Sequence, residues 1–216
     1  CIIFTLQSPE TSLGFLDRFL ACCEAYNIPV LILFNKIDLL NFEEVELVEE
    51  LQEMYEKLGY QTLQVSSEDH LNLDKLQEII KDKTSVFFGH SGAGKSTLVN
   101  VLQPDLNLKT NIISETHNKG KHTTTFAQMH FWHFGGAVID TPGVREFAMI
   151  DVEKEEIQHY FPEIFKKGRD CKFHNCKHIN EPKCAVLEAI ETGEILESRY
   201  ITYLKLMEEA EEQNQL

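Results

Sequence analysis

The chain has 216 residues, enough to bury one or two cores, and its 43% hydrophobic and 25% charged content is ordinary for a globular fold. Its 35 acidic residues outnumber 20 basic ones, and the net charge of −15 argues against a general nucleic-acid binder. No apolar run approaches the roughly 18 residues of a membrane span, so no membrane partner is expected.

Residues 1–6 read as a buried strand. The strand starts at Cys1 rather than after a Met, so a preceding segment is expected to be missing. Leu13, Leu16, Phe19, Leu20 and Cys23 recur at helical spacing up to residue 26, and Asn27 and Pro29 end that helix. Residues 30–34, VLILF, are too apolar for a half-exposed strand and suit the centre of a parallel sheet. At that strand's carboxyl end stands Asn35-Lys36-Ile37-Asp38, where ligands bind in open α/β sheets. N-K-x-D is the guanine-reading tetrapeptide of GTPases. The Asp38 carboxylate would accept from the ring N1–H and the exocyclic amine, a donor pair adenine lacks. Asn35 would contact the base edge or tie the loop down, and the Lys36 stem would cover the ring. An acidic amphipathic helix at 42–58 and a strand at 61–65 follow, then Ser66-Ser67, which resembles a second base-contacting loop. A third helix is predicted over 71–80.

Residues 84–102 read TSVFFGHSGAGKSTLVNVL: an apolar strand, a glycine-rich turn, and an apolar-periodic helix. Gly89, Gly94, Lys95 and Ser96 form G-x-x-x-x-G-K-S. A turn with few side chains lets the backbone N–H groups of Gly89, His90, Ser91, Gly92, Ala93 and Gly94 surround phosphate oxygens, and the helix start at Lys95, Ser96 and Thr97 adds its positive dipole end. Lys95 would reach the β- and γ-phosphates, and the Ser96 hydroxyl would bind Mg²⁺. A polar stretch leads to Gly120-Lys121-His122-Thr123-Thr124-Thr125, where Thr123 or Thr124 would bind Mg²⁺ as switch loops do; Thr124 is carried as the ligand. Two strands around Gly135-Gly136 deliver Asp140-Thr141-Pro142-Gly143, with Asp140 holding Mg²⁺ through water and the Gly143 N–H facing the γ-phosphate. Val144 stands where many GTPases carry a water-orienting glutamine; an aliphatic side chain cannot do this, which makes His122 the candidate for catalytic help. The base loops precede the phosphate loop, the reverse of the ordinary order, so the chain is circularly permuted.

The C-terminal part opens with a short helix ending before Pro162 and closes with helices at 184–191 and 195–207. Between them runs Cys171-x₄-Cys176-x-His178-x₅-Cys184. Three thiolates and an imidazole are a tetrahedral Zn²⁺ set with no open position, hence one structural ion; His174 competes only if His178 points away. Cys1, Cys22 and Cys23 have no metal spacing, and a phosphate loop does not suit a secreted disulfide scaffold. Six basic residues against two acidic ones over 166–183 make a local basic patch able to engage phosphate.

In chain order the loops are NKID, SS, GHSGAGKS, HTT and DTPG, with the Cys-Cys-His-Cys cluster behind. Together with GKHTT and DTPGVREF, this closely resembles the bacterial ribosome small-subunit-dependent GTPase A family (RsgA, also called YjeQ) over essentially the whole chain. The resemblance implies an α/β fold: a circularly permuted P-loop GTPase domain at 1–150, loop order G4-G5-G1-G2-G3, then a small helical zinc domain at 151–216. It implies slow GTP hydrolysis to GDP, strong stimulation by the small ribosomal subunit, rRNA binding during late maturation of that subunit, a cytoplasmic setting, a monomer, and an assisting histidine at His122. The family's N-terminal OB-fold has no counterpart in these residues.

Overall fold

A computed structural model describes residues 1–108, 128–140 and 152–213. In chain order the elements are β1 (Ile2–Phe4), α1 (Leu13–Ala25), β2 (Leu31–Phe34), α2 (Phe42–Lys57), β3 (Gln61–Gln64), α3 (Leu73–Ile80), β4 (Thr84–Val86), α4 (Lys95–Leu102), β5 (Gln128–Phe131), β6 (Ala137–Asp140), α5 (Pro162–Gly168), α6 (Ala185–Glu191) and α7 (Glu197–Gln213). They fall into two compact units. One comprises Cys1–Thr11 and Val30–Arg145; the other comprises Ser12–Pro29 and Glu146–Leu216.

The first unit is built on parallel strands. β1 pairs with β2, and β2 with β3, all parallel. β4 pairs parallel with β6, whose other side carries β5 antiparallel. The two triplets meet where the chain leaves β4: the Ile3 N–H donates to Phe88 O at 2.7 Å and the Phe88 N–H to Cys1 O at 2.8 Å. The spatial order is therefore β3-β2-β1-β4-β6-β5. All four residues of β2 are buried, as a strand covered on both faces requires. Ile3, Leu33, Val65, Leu76, Val99 and Val138 lie in one core. Fully burying each such side chain stabilises by about 1.5–3 kcal/mol. The Asn41 side chain accepts from the Glu44 N–H at 3.0 Å while the Glu44 carboxylate accepts from the Asn41 N–H at 2.9 Å, a capping box that starts α2. The helix expected from residue 71 begins at Leu73, because Leu71 exchanges backbone hydrogen bonds with Ser66.

The second unit is helical. Ile157, Phe161, Ile164, Val186, Ile195, Tyr203 and Leu206 share its core with Ala21 and Cys22 of α1. α1 packs on α7 and on the 3₁₀ turn Lys154–Tyr160, and a linear division after residue 150 does not describe this grouping. Sequence pattern assigns no helix to Pro162–Gly168. Pro162 reads as a stop, yet it occupies the first turn of α5, where its missing N–H has no intrahelical partner to lose. Arg199 of α7 is fully buried. It donates from Nε to Glu163 Oε1 at 2.7 Å and from Nη2 to Glu163 Oε2 at 3.1 Å, lies 3.8 Å from Asp17 Oδ1, and sits 4.7 Å over the Phe161 ring. One guanidinium thus joins α1, α5 and α7.

Candidate functional site

The parallel register brings the predicted loops to one edge. Ile2 is level with Ile32 and Phe88, and Val86 with Ile139. The chain therefore leaves β2 at Asn35, β3 at Val65, the β4 extension at Gly89 and β6 at Asp140, all at carboxyl ends of parallel strands. That edge is where open α/β sheets bind ligands.

The phosphate loop needs glycine at two places. Gly89 has φ +152°, and a Cβ there would lie 2.9 Å from Ile3 O; Gly94 has φ +102°, and a Cβ would lie 2.4 Å from Asn35 Nδ2. Gly94, which has no side chain, supplies no side-chain cap to α4. Lys95 Nζ lies across the loop and donates to Gly89 O and His90 O, each at 2.7 Å. Ser96 and Thr97 occupy the first turn behind it, and Ser91 and Gly92 form the outer bend.

The base loop is tied to the phosphate loop. Buried Asn35 donates from Nδ2 to Ala93 O at 2.8 Å, and its own N–H donates to Phe4 O at 2.9 Å. Of the two roles read for Asn35, the structure displays the loop tie. Lys36 is left-handed at φ 65°, followed by a 3₁₀ turn over Ile37–Leu39. Its ammonium donates to Ser8 O, and loss of water around it pushes its pKa down, against the pull of Asp38. Ser66 is fully buried; its hydroxyl donates to Asp38 Oδ1 at 2.6 Å and accepts the Asp69 N–H at 3.0 Å. The Ser66 hydroxyl therefore orients the Asp38 carboxylate. The Ser67 hydroxyl is buried with no hydrogen-bond partner among the described residues. His122, Thr123, Thr124 and Gly143 lie outside the described residues, and at Asp140 only the backbone position, ending β6, is described.

In the helical unit, Cys171, Cys176, His178 and Cys184 bring their ligand atoms within 4.8 Å of one another. Cys171 Sγ stands 3.8 Å from Cys184 Sγ, and His178 Nδ1 stands 3.4 Å from Cys184 Sγ and 3.6 Å from Cys171 Sγ. Donors about 2.0–2.3 Å from a tetrahedral ion lie roughly 3.5–3.8 Å apart, so the set fits Zn²⁺. His174 is exposed and outside the cluster. Sequence pattern missed what surrounds the ligands. The His178 imidazole lies against Gly168, where a Cβ would come within 3.1 Å of Cε1 and Nε2. The hydroxyls of Tyr200 and Tyr203 donate to His178 O at 2.6 Å and Lys177 O at 3.0 Å. The Glu181 carboxylate accepts three backbone N–H groups. No spacing rule singles these residues out.

A mostly parallel sheet with a glycine loop opening α4, and a base-reading loop that precedes it in the chain, defines a circularly permuted P-loop GTPase fold. Two solved structures are similar: YjeQ from Thermotoga maritima (TM-score 0.79, 38% identity, 97% of this chain and 69% of that one) and YloQ, described as a circularly permuted GTPase (TM-score 0.77, 35% identity, 98% and 68%). Residues 1–150 match the family model described as RsgA GTPase. The small ribosomal subunit biogenesis GTPase RsgA of Christiangramia forsetii is 47% identical over 211 residues, 98% of this chain and 67% of that protein. The protein of the same name from Flavobacterium psychrophilum is 49% identical over 209 residues, 96% of this chain and 64% of that protein. The chain belongs to the RsgA GTPase family, and it spans about two thirds of the length of these relatives.

Proposed function

We propose that this chain is the nucleotide-hydrolysing part of a GTPase that acts in maturation of the small ribosomal subunit. The observation that carries the reading is the double tie of the base loop. Asn35 joins it to the phosphate loop at Ala93, and Ser66 holds Asp38 by one oxygen. A base read by Asp38 and phosphates held by the 89–94 loop thus belong to one ligand, guanosine di- or triphosphate. The loop amides and Lys95 bind the phosphates. Ser96, Thr124 and Asp140 are the residues that would hold Mg²⁺, which when bound neutralises charge on the β- and γ-phosphate oxygens. His122 is assigned to help orient the attacking water, and the Gly143 N–H to face the γ-phosphate. Water attacks the γ-phosphorus and GDP leaves.

Cys171, Cys176, His178 and Cys184 would hold one Zn²⁺ as a closed, structural site. The small subunit and its rRNA are assigned as partners because the relatives are named for that process. The basic, aromatic surface of α5 and the loop after it supports contact with RNA: Arg169 lies 5.0 Å over the Phe165 ring and Lys172 5.2 Å over Phe173. Among the described residues no helix is long and apolar enough to cross a membrane; we assign a cytoplasmic monomer.

Three measurements test the reading. GDP should raise the melting temperature of the chain while ADP leaves it unchanged; equal shifts would remove guanine as the base. GTP turnover by the full-length protein should rise on adding purified small subunits, and an unchanged rate would remove the ribosomal role. His122→Ala should lower the stimulated rate while leaving GDP affinity nearly intact, and an unaltered stimulated rate would take His122 out of catalysis.

A further inference from the structure

His178 occupies a conformation that its own backbone disfavours. It is left-handed at φ 57°, a region that crowds the Cβ of a non-glycine residue, and its imidazole must still present Nδ1 to the sulfurs of Cys171 and Cys184. A metal-binding histidine is ordinarily oriented through its other ring nitrogen, which donates to a carboxylate or carbonyl. Here Nε2 is buried, packed against Gly168, and without a hydrogen-bond partner among the described residues. Something other than the ring must hold the residue in place.

The backbone around His178 is held from both sides. Glu181 Oε1 accepts from the Lys177 N–H at 2.7 Å, and Oε2 accepts from the Ile179 N–H at 2.8 Å and the Asn180 N–H at 3.0 Å. The carbonyls of Lys177 and His178 accept from Tyr203 and Tyr200 of α7. The carbonyls of both peptide groups that flank His178 are thus held by α7, and the amides of Lys177, Ile179 and Asn180 by one carboxylate.

We propose that Glu181 is a positioning residue for the metal centre: its carboxylate gathers the amides around His178 into the ligating loop, so that Nδ1 faces the three thiols before metal arrives. This rests on the assignment of Cys171, Cys176, His178 and Cys184 as metal ligands. Only a carboxylate suffices, because all three bonds need acceptor oxygens and an amide offers one oxygen and a donor. Outer-shell partners of metal ligands contribute roughly 10- to 100-fold in affinity.

The test is competition for Zn²⁺ between a chelating dye and the 216-residue chain, as wild type, Glu181→Ala, Glu181→Gln and Tyr200→Phe, with Co²⁺ absorption as a second readout. Wild type should take up one Zn²⁺ and give the intense visible bands of four-coordinate Co²⁺ bound through thiolate. Glu181→Ala should bind Zn²⁺ roughly 10- to 100-fold more weakly, with altered Co²⁺ bands; Glu181→Gln should fall between, and Tyr200→Phe should lose less. If Glu181→Ala does not fold, Glu181→Gln decides. Unchanged affinity and an unchanged Co²⁺ spectrum in the folded variants would overturn the proposal and leave the metal assignment standing. A wild-type chain that takes up no Zn²⁺ would overturn both.

Discussion

Arg199→Met removes a buried cation while keeping most of the side chain's bulk. In the native protein Arg199 and Asp17 are fully buried, the Glu163 side chain is 8% exposed, and the guanidinium makes two charge-assisted hydrogen bonds to Glu163 at 2.7 and 3.1 Å. Methionine leaves two carboxylates facing an apolar neighbour. Removing one partner of such a buried group destabilises by about 3–5 kcal/mol, most of it the penalty of uncompensated buried charge. For a chain of this size that corresponds to a melting temperature lower by roughly 6–20 °C. Urea titration followed by helical circular dichroism measures the loss directly. Arg199→Met/Glu163→Gln should recover part of it, because one stranded carboxylate is then neutral. A loss below about 1 kcal/mol in the single variant would refute the reasoning, since the triad would then be worth no more than an exposed ion pair.

Gly94→Ala places a methyl group 2.4 Å from Asn35 Nδ2 at φ +102°, so Asn35 must leave Ala93 O. GDP affinity measured by calorimetry should fall at least tenfold, and unaltered affinity would show that the Asn35 tie is dispensable. Ser66→Ala frees Asp38 Oδ1 from its 2.6 Å hydrogen bond; preference for GDP over inosine diphosphate should narrow while phosphate-loop contacts persist. Gly168→Ala pushes on the His178 ring from 3.1 Å, and chelator-driven metal release should become faster. Burial pushes the Cys22 thiol from an ordinary 9.0 up to about 11 and the Cys23 thiol up to about 12, so neither should react with a disulfide reagent at pH 8 until the chain unfolds. Their neutral forms are favoured in the fold. Their contribution to stability is therefore intact below pH 9 and lost as pH rises through their folded pKa values, visible as alkaline destabilisation in melts between about pH 9 and 12.

Much of the site was legible because its chemistry is local. The phosphate loop, the NKID turn and the four candidate metal ligands are short patterns whose residue types suggest their own task, and the unbroken apolar run of β2 announced a sheet covered on both faces. Ser66 was legible only as a neighbour of the base site; that its hydroxyl serves Asp38 depends on two strand ends meeting. α5 was missed because proline reads as a stop, whereas at a helix start it has no N–H to lose.

By itself the chain determined the order of its motifs, and so the permutation, and it offered candidate sets for phosphate and metal, since each is written in one short stretch. Tertiary structure alone decided that α1 packs with the helices near the other end of the chain, that Arg199 joins Asp17 and Glu163, and that Glu181 frames His178. The physical reason is that periodicity records which face of an element must be buried, while the choice of what buries it is made among segments far apart in sequence. A buried charge reveals its partner only when the fold has removed the water between them.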